Sequence, residues 1–421
     1  MKSRAWGGAV AATVALGVAL SGCAGAAETP QTPSGDAVFW GYWDGDVADQ
    51  ITAILDDFNE DTGANVTYVA QPDMMSAFQA SAIAGDVPDI MLWDAQEVRR
   101  YGSLGQLAAL DEHLSAAGVD TADFNDQSMQ ELTTDGHVYG LPVNIDIWGL
   151  YVNLGILNEA GIDAPPATWD EVLEAAEAAM TVEGVSAGIN LKMAPYLFNS
   201  FVYANGGTPL SDDETTVNLD SAAEDVLDYF RELLDAGVFS SNYAASGGGD
   251  GFVTGEEAMT LWPTSMLRNY DDYADEIDFT FMPIPEGRAP GAHAGGIQTS
   301  WSLVTPANAE NGETAKAFIE WASHQEENSL RWAEVLGGFS ALKSVQNDPQ
   351  FANDPYLRNI LADLDNHVIR SDAPGFTTLE GTVYAPEIQK LFEGTQSVAD
   401  TLAVMKREGD LFLEQARASA N

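Results

Sequence analysis

The run DAVFWGYWDGDVADQITAILDDFNEDTGANVTYVA, residues 36–70, changes its hydrophobic period twice in a short space. DAVFWGYW has the apolar and aromatic density of a strand. From about Asp46 to Thr62, Val47, Ile51, Ile54, Leu55 and Phe58 recur at helical spacing, and ANVTYVA returns to a strand pattern. Beyond it, DMMSAFQASAIAG (73–85) reads as a helix stopped at Gly85, and PDIMLW (88–93) as a short apolar strand introduced by Pro88. Strand and helix in this alternation predict an α/β fold, a parallel sheet with helices on its faces. Ligands of such sheets collect beyond the carboxyl ends of the strands. Here those ends carry Trp43 with Asp44, and Trp93 with Asp94. Both tryptophans are therefore expected to contact a ligand rather than fill the core.

The sequence before this unit has a different character. Lys2 and Arg4 are followed by an uncharged run of small and apolar residues from Ala5 to Leu20, the layout of a secretory signal peptide over residues 1–22. The run falls short of the roughly 20 apolar residues that span a bilayer comfortably. Its end, Leu20-Ser21-Gly22-Cys23, resembles the bacterial lipobox, in which the cysteine becomes the lipidated first residue. Cys23 is the chain's one cysteine, so an internal disulfide is excluded. Residues 23–35, small, polar and Pro-containing, then read as a flexible tether holding the folded body off the membrane. Acyl anchoring differs from spanning, and it takes more than one chain to be durable.

With 421 residues the chain is too long for one ordinary core and predicts two lobes. Its 65 acidic against 17 basic residues leave a formal charge of −48. Such a surface repels nucleic acid and anionic lipid headgroups, and it disfavours an anionic ligand. Solubility explains the acidity, and so does adaptation to a saline habitat in which salt screens self-repulsion. Thermal unfolding across a sodium chloride series separates the two. Steady stabilisation up to molar salt is expected on the saline account, and a flat response if solubility alone explains the charge.

Further along, Thr168 with Glu171 and Ser221 with Glu224 stand at capping-box spacing and mark helix starts. AASGGGDG (244–251) reads as a flexible break. FVTGEEAMTLWP (252–263) reads as a turn into a buried strand, and FTFMPIPEG (279–287) and GGIQTSWSLVTP (295–306) as further strands. The last third is helical by period, as in TAKAFIEWASHQ and SVADTLAVMKREGDLFLEQA.

Several stretches together resemble the extracellular solute-binding proteins of ABC importers, in the large sugar-binding family that includes maltose-binding protein. They are IAGDVPDIMLWD, DGHVYGLPVNIDIWGLYVNLGILNEAGIDAPPATWDEVLEAA, NGGTPL, FVTGEEAMTL and GGIQTSWSLVTPANAENGETAKAFIEWAS, in the family's order and spread over nearly the whole mature chain. The resemblance implies a two-lobed fold of the periplasmic-binding-protein type, with a ligand cleft between α/β lobes and a hinge of several segments. Carried over, residues 36–146 with 297–342 form one lobe, and 147–296 with 343–421 the other. It also implies a carbohydrate ligand captured by lobe closure, importer permease subunits as partners, a monomer, no cofactor, no metal, no nucleic acid and no catalysis. The protein would be held at the outer face of the cell membrane by its lipid alone.

Among candidate site residues, aromatic rings suit sugars because pyranose C–H faces pack on them. Trp43 and Trp93 qualify by position, and Trp262 by following GEEAMTL, although Pro263 and Thr264 depart from the family's commoner Gly-Pro-Trp. Trp301 lies within an apolar strand, where core packing is at least as well supported. Tyr196 matches a tyrosine that stacks on sugar in the family, but Ala194 stands where the family example has an acid. Asp44, Asp94 and Asp146 are acceptors for sugar hydroxyls or else helix caps and solvated loop acids. Gln79, Gly296 and Gln298 are candidates for amide or backbone hydrogen bonds. Arg370 bonds to ligand oxygens or pairs with a carboxylate.

The histidines, His113, His137, His293, His324 and His367, show no metal-ligand spacing, and no nucleophile elbow or phosphate loop is present. Acid pairs leave a two-carboxylate glycosidase open on composition alone. Two non-catalytic roles besides sugar import also fit the sequence. One is a receptor for a cationic ligand such as a polyamine or betaine, caged by tryptophans and acids. The second is a sensor lipoprotein that signals without transport.

Overall fold

The computed structural model describes residues 35–191, 196–240, 250–271, 273, 276–346, 348–353, 357–362, 364–371 and 373–420. Cys23 and the expected signal peptide lie outside them, as does the tether up to residue 34. Most of AASGGGDG, residues 244–249, also lies outside.

The alternation in residues 36–94 gives what its periods predict. Strands Asp36–Gly41, Asn65–Ala70 and Ile90–Asp94 bracket helices Gly45–Thr62 and Met74–Ala84. The first strand pairs in parallel with both others. Gly63 and Gly85 end the two helices with φ near 76°, a left-handed turn that glycine adopts without penalty. The sheet is completed by chain from much later: Trp301–Val304 runs antiparallel to Ile90–Asp94, and Gly140–Pro142 antiparallel to Trp301–Val304. The Gly312–His324 helix closes this core, with Phe318 set edge-on against Phe39 at 5.7 Å and Phe58 at 5.2 Å.

A second sheet is built on Asp146–Asn153, every residue of which is buried. Met259–Pro263, Phe279–Pro283 and Gly296–Thr299 all run antiparallel to it. Gly149 is required there, because a Cβ at that position would sit 2.3 Å from the Met282 carbonyl. Tyr151 fills the space beneath, 4.6 Å from Phe281 and 4.8 Å from Tyr270. Helix Trp169–Ala179 starts at the capping box expected of Thr168 and Glu171. The expected box at Ser221 and Glu224 is not formed. Asp220 caps instead, its carboxylate accepting from Ala222 N, and Ser221 is already the first helical residue. An aspartate one position earlier reaches the free N–H groups at least as well as serine.

The chain crosses between the sheets at residues 143–145, at Ser300, and around Phe339–Leu342, where isolated bridges join Ile145 to Phe339 and Phe124 to Leu342. Asn144 ties the three crossings together. Its Nδ2 donates to Gly337 O at 2.9 Å, and its Oδ1 accepts from Trp301 N at 3.0 Å. The crossings are thus hydrogen-bonded side by side where the two sheets meet, as a hinge requires. Two α/β halves joined in this way form the two-lobed fold that the resemblance implies.

Candidate functional site

Where the first sheet's strands end beside the crossings, three aromatic rings gather. Trp43 and Trp301 meet edge-on at 4.8 Å, and Tyr42 lies 5.3 Å from Trp301 and 5.8 Å from Trp43. All three are half-buried. Tyr68 Oη donates to Trp43 O at 2.7 Å and so fixes the turn after the first strand. Asp94 is the register partner of Trp301 and caps helix Ala95–Ser103, accepting from Gln96 N at 3.1 Å. Burial pushes its carboxyl up, against the pull of the Arg370 guanidinium. Burial also raises Glu97, which lies 3.9 Å from Arg100.

A second aromatic group lies on the other sheet near the hinge, with Tyr196 half-buried and Trp148 and Trp262 buried behind it. Trp148, on the crossing strand, meets Tyr196 edge-on at 5.0 Å and Trp262 at 6.1 Å. The Arg370 guanidinium lies 4.8 Å from the centroid of the Tyr196 ring. Arg370 pairs with Glu380, which also accepts from Asn199 Nδ2 at 2.6 Å. The charge coupling between Asp94 and Arg370 spans the two groups.

Of the expected residues, Trp43, Asp94, Tyr196, Trp262, Trp301 and Arg370 therefore come together around the junction. Asp44 stays at the rim, exposed, at the N-terminus of helix Gly45–Thr62 and without a capping bond. Gln79 is exposed and donates to Tyr101 Oη at 3.2 Å.

Four expectations are corrected. Trp93 is fully buried, packed between Phe78 at 5.2 Å and Tyr101 at 4.7 Å, because helices Met74–Ala84 and Ala95–Ser103 cover that side of its strand. Gln298 is also fully buried, and its Nε2 donates to Asn125 Oδ1 at 2.9 Å and Ser128 Oγ at 3.1 Å, a tie across the crossing. Gly296 is buried in the sheet, paired with His367, where a Cβ would approach Trp148 O to 3.1 Å. Asp146 is 6 % exposed, and its Oδ1 accepts from Thr264 Oγ1 at 2.7 Å and Ser265 N at 2.9 Å. It locks the hinge to the strand end beside it. Sequence reasoning misses Tyr42, Trp148, Glu97 and Glu380. Tyr42 is adjacent to a chosen tryptophan and Trp148 lies two residues after Asp146, but Glu380 carries no local signal.

Asp146 gives a pH-dependent expectation. Burial raises its carboxyl above the ordinary aspartate value, outweighing the pull of the bonds from Thr264 and Ser265. The folded chain thus keeps a proton that the unfolded chain has lost. Its stabilising contribution is complete below the unfolded value, about 3.9, and is lost as pH rises through the folded one. Asp146→Asn retains an acceptor without the charge, so its stability relative to wild type should improve between acid and neutral pH. Urea midpoints at both pH values check this, and a constant difference refutes it.

Among the described residues no three His, Cys, Asp or Glu side chains group as metal ligands, and no helix is long and apolar enough to cross a membrane. Comparison with known proteins gives consistent likenesses. The maltotriose-binding protein of Pyrococcus abyssi is 23% identical over 69% of this chain, which spans 63% of that protein's length. The GacH receptor of Streptomyces glaucescens, solved unliganded and with acarbose, is 22% identical, with a TM-score of 0.79 over 90% of this chain and 99% of that one. UgpB of Mycobacterium tuberculosis, solved with glycerophosphocholine, is 22% identical, with a TM-score of 0.80 over the same shares, 90% and 99%. These structures share the fold. Residues 53–359 match the family described as bacterial extracellular solute-binding protein, and this chain belongs to that family.

Proposed function

We propose that this protein is the substrate-binding lipoprotein of an ABC importer, and that it captures a neutral carbohydrate, of oligosaccharide size, by closing two lobes on it without altering it. The observation that carries the reading is the pair of aromatic groups, Tyr42–Trp43–Trp301 and Trp148–Tyr196–Trp262, on either side of one hinge. Stacking rings on both sides, with Asp94 and Arg370 between them, suit the apolar faces and ringed hydroxyls of sugars. The relatives' names, maltotriose-binding among them, support the same class. The lobes divide close to the expected bounds of 36–146 with 297–342 against 147–296 with 343–421, except that Asp146 and residues 297–299 go with the second sheet, and they rotate about the three crossings as rigid bodies. Permease subunits then read the closed form through a population shift.

A thermal-shift screen over mono- and oligosaccharides tests the ligand class. A true ligand at one hundred times its Kd adds about 2.7 kcal/mol of stability. The second reading, a cationic ligand, draws on Asp94 and Glu97 beside the Tyr42, Trp43 and Trp301 rings, a setting that holds ammonium groups. Choline and spermidine belong in the same screen, and stabilisation by them alone would replace the sugar reading. Conversion of a bound sugar to product would end the non-catalytic one. For the anchor, Cys23→Ser is expected to abolish lipid labelling and release the protein to the medium or leave it uncleaved. Unchanged labelling would refute the anchor.

A further inference from the structure

A bare arginine in a binding cleft selects carboxylate or phosphate, because its planar fork and fixed charge match them. Arg370 is not bare. It is 8 % exposed, and its terminal Nη2 donates to Glu380, which is fully buried. Glu380 opens a π-helical turn, Glu380–Tyr384, a geometry that is rare and concentrated at functional sites. Its second oxygen is held by Asn199 Nδ2 at 2.6 Å, so the carboxylate cannot swing away from the arginine without losing a buried bond. Asp94 adds a second negative charge that acts on Arg370 from the first sheet. Glu97, the next acid, has Arg100 beside it. Arg370 Nε remains a buried donor with no hydrogen-bond partner among the described residues.

We propose that Glu380 is a specificity-determining residue. By cancelling the charge of Arg370 while leaving its Nε donor unused, it makes this corner of the cleft accept a neutral ligand oxygen and reject an anion. Tyr196, over which the guanidinium lies, supplies the apolar face beside that donor. The inference deepens the carbohydrate reading, and rests on it for the identity of the neutral ligand.

Titration calorimetry at low salt, with inorganic phosphate and with maltotriose as probes, tests it on wild type, Glu380→Gln and Asp94→Asn. Glutamine preserves the shape of Glu380 and an acceptor for Asn199, and asparagine preserves the cap on Gln96. Wild type is expected to bind no measurable phosphate. Glu380→Gln should gain at least tenfold in phosphate affinity, and Asp94→Asn a smaller amount, both gains fading as sodium chloride screens the field. Unchanged phosphate affinity in a Glu380→Gln protein with a normal melting transition overturns the proposal, as does a wild type that binds phosphate equally well. If Glu380→Gln does not fold, Asp94→Asn decides: a gain in phosphate affinity supports the proposal, and no gain overturns it. A wild type that takes up neither maltotriose nor any other neutral sugar counts against the carbohydrate reading alone and leaves the phosphate comparison intact.

Discussion

Trp43→Ala is expected to weaken binding of the cognate sugar by roughly 30-fold or more, a loss of about 2 kcal/mol. The ring is half-buried, its edge set against Trp301 and its backbone held by Tyr68. Those contacts fix its orientation before a ligand arrives, so little ordering cost is left to binding. The strand beneath it ends at Gly41, and Trp43 packs half-buried against the edge of a core whose buried centre is Phe39, Phe58 and Phe318. Removing the ring should therefore spare the unliganded fold. Calorimetry with the sugar found by screening, beside melting curves without it, checks both halves. Normal affinity in Trp43→Ala would show that the ligand sits elsewhere.

Trp93→Ala should do the reverse, destabilising the unliganded protein by about 3–5 kcal/mol, the cost of emptying a packed aromatic site. Trp93 has no exposed surface, and its ring is enclosed by Phe78 and Tyr101. Helices Met74–Ala84 and Ala95–Ser103, both on the same side of its strand, hold those neighbours, so collapse into the vacated space would require two helices to move. Urea unfolding of variant and wild type measures the loss. Well below its melting temperature Trp93→Ala should keep most of its sugar affinity, because Asp94 retains its own cap on Gln96. A variant as stable as wild type but unable to bind would restore Trp93 as a platform.

The contrast between these tryptophans shows how far the sequence reaches. Both follow an apolar strand and precede an acid, so local pattern treats them alike. The first lies beyond the last paired residue of its strand, whereas Trp93 lies within its own, beside Ser302 of a strand that arrives 209 residues later. Trp148 has the opposite history. Passed over as a candidate in the sequence, it is the ring that joins Tyr196 and Trp262.

Elements of one period, their starts, stops and order were legible from the chain alone. Hydrophobic spacing reports which face of a segment is covered, and Thr168 with Glu171 or Gly85 act on backbone within a few residues of themselves. The α/β alternation follows from such local patterns, and the solute-binding class from the resemblance of several stretches to that family. Tertiary structure decided which polar groups are already spent. The Asp146 carboxylate, the Gln298 side-chain NH2 and the Glu380 carboxylate are each engaged by partners more than a hundred residues away or across a turn that no propensity announces: Thr264, Asn125 and, for Glu380, Asn199 with Arg370. A buried polar group must be paired by whatever the fold brings to it. Whether a carboxylate or amide remains free for a ligand is therefore a property of the packed chain, because the groups that compete for it meet only when the two sheets do.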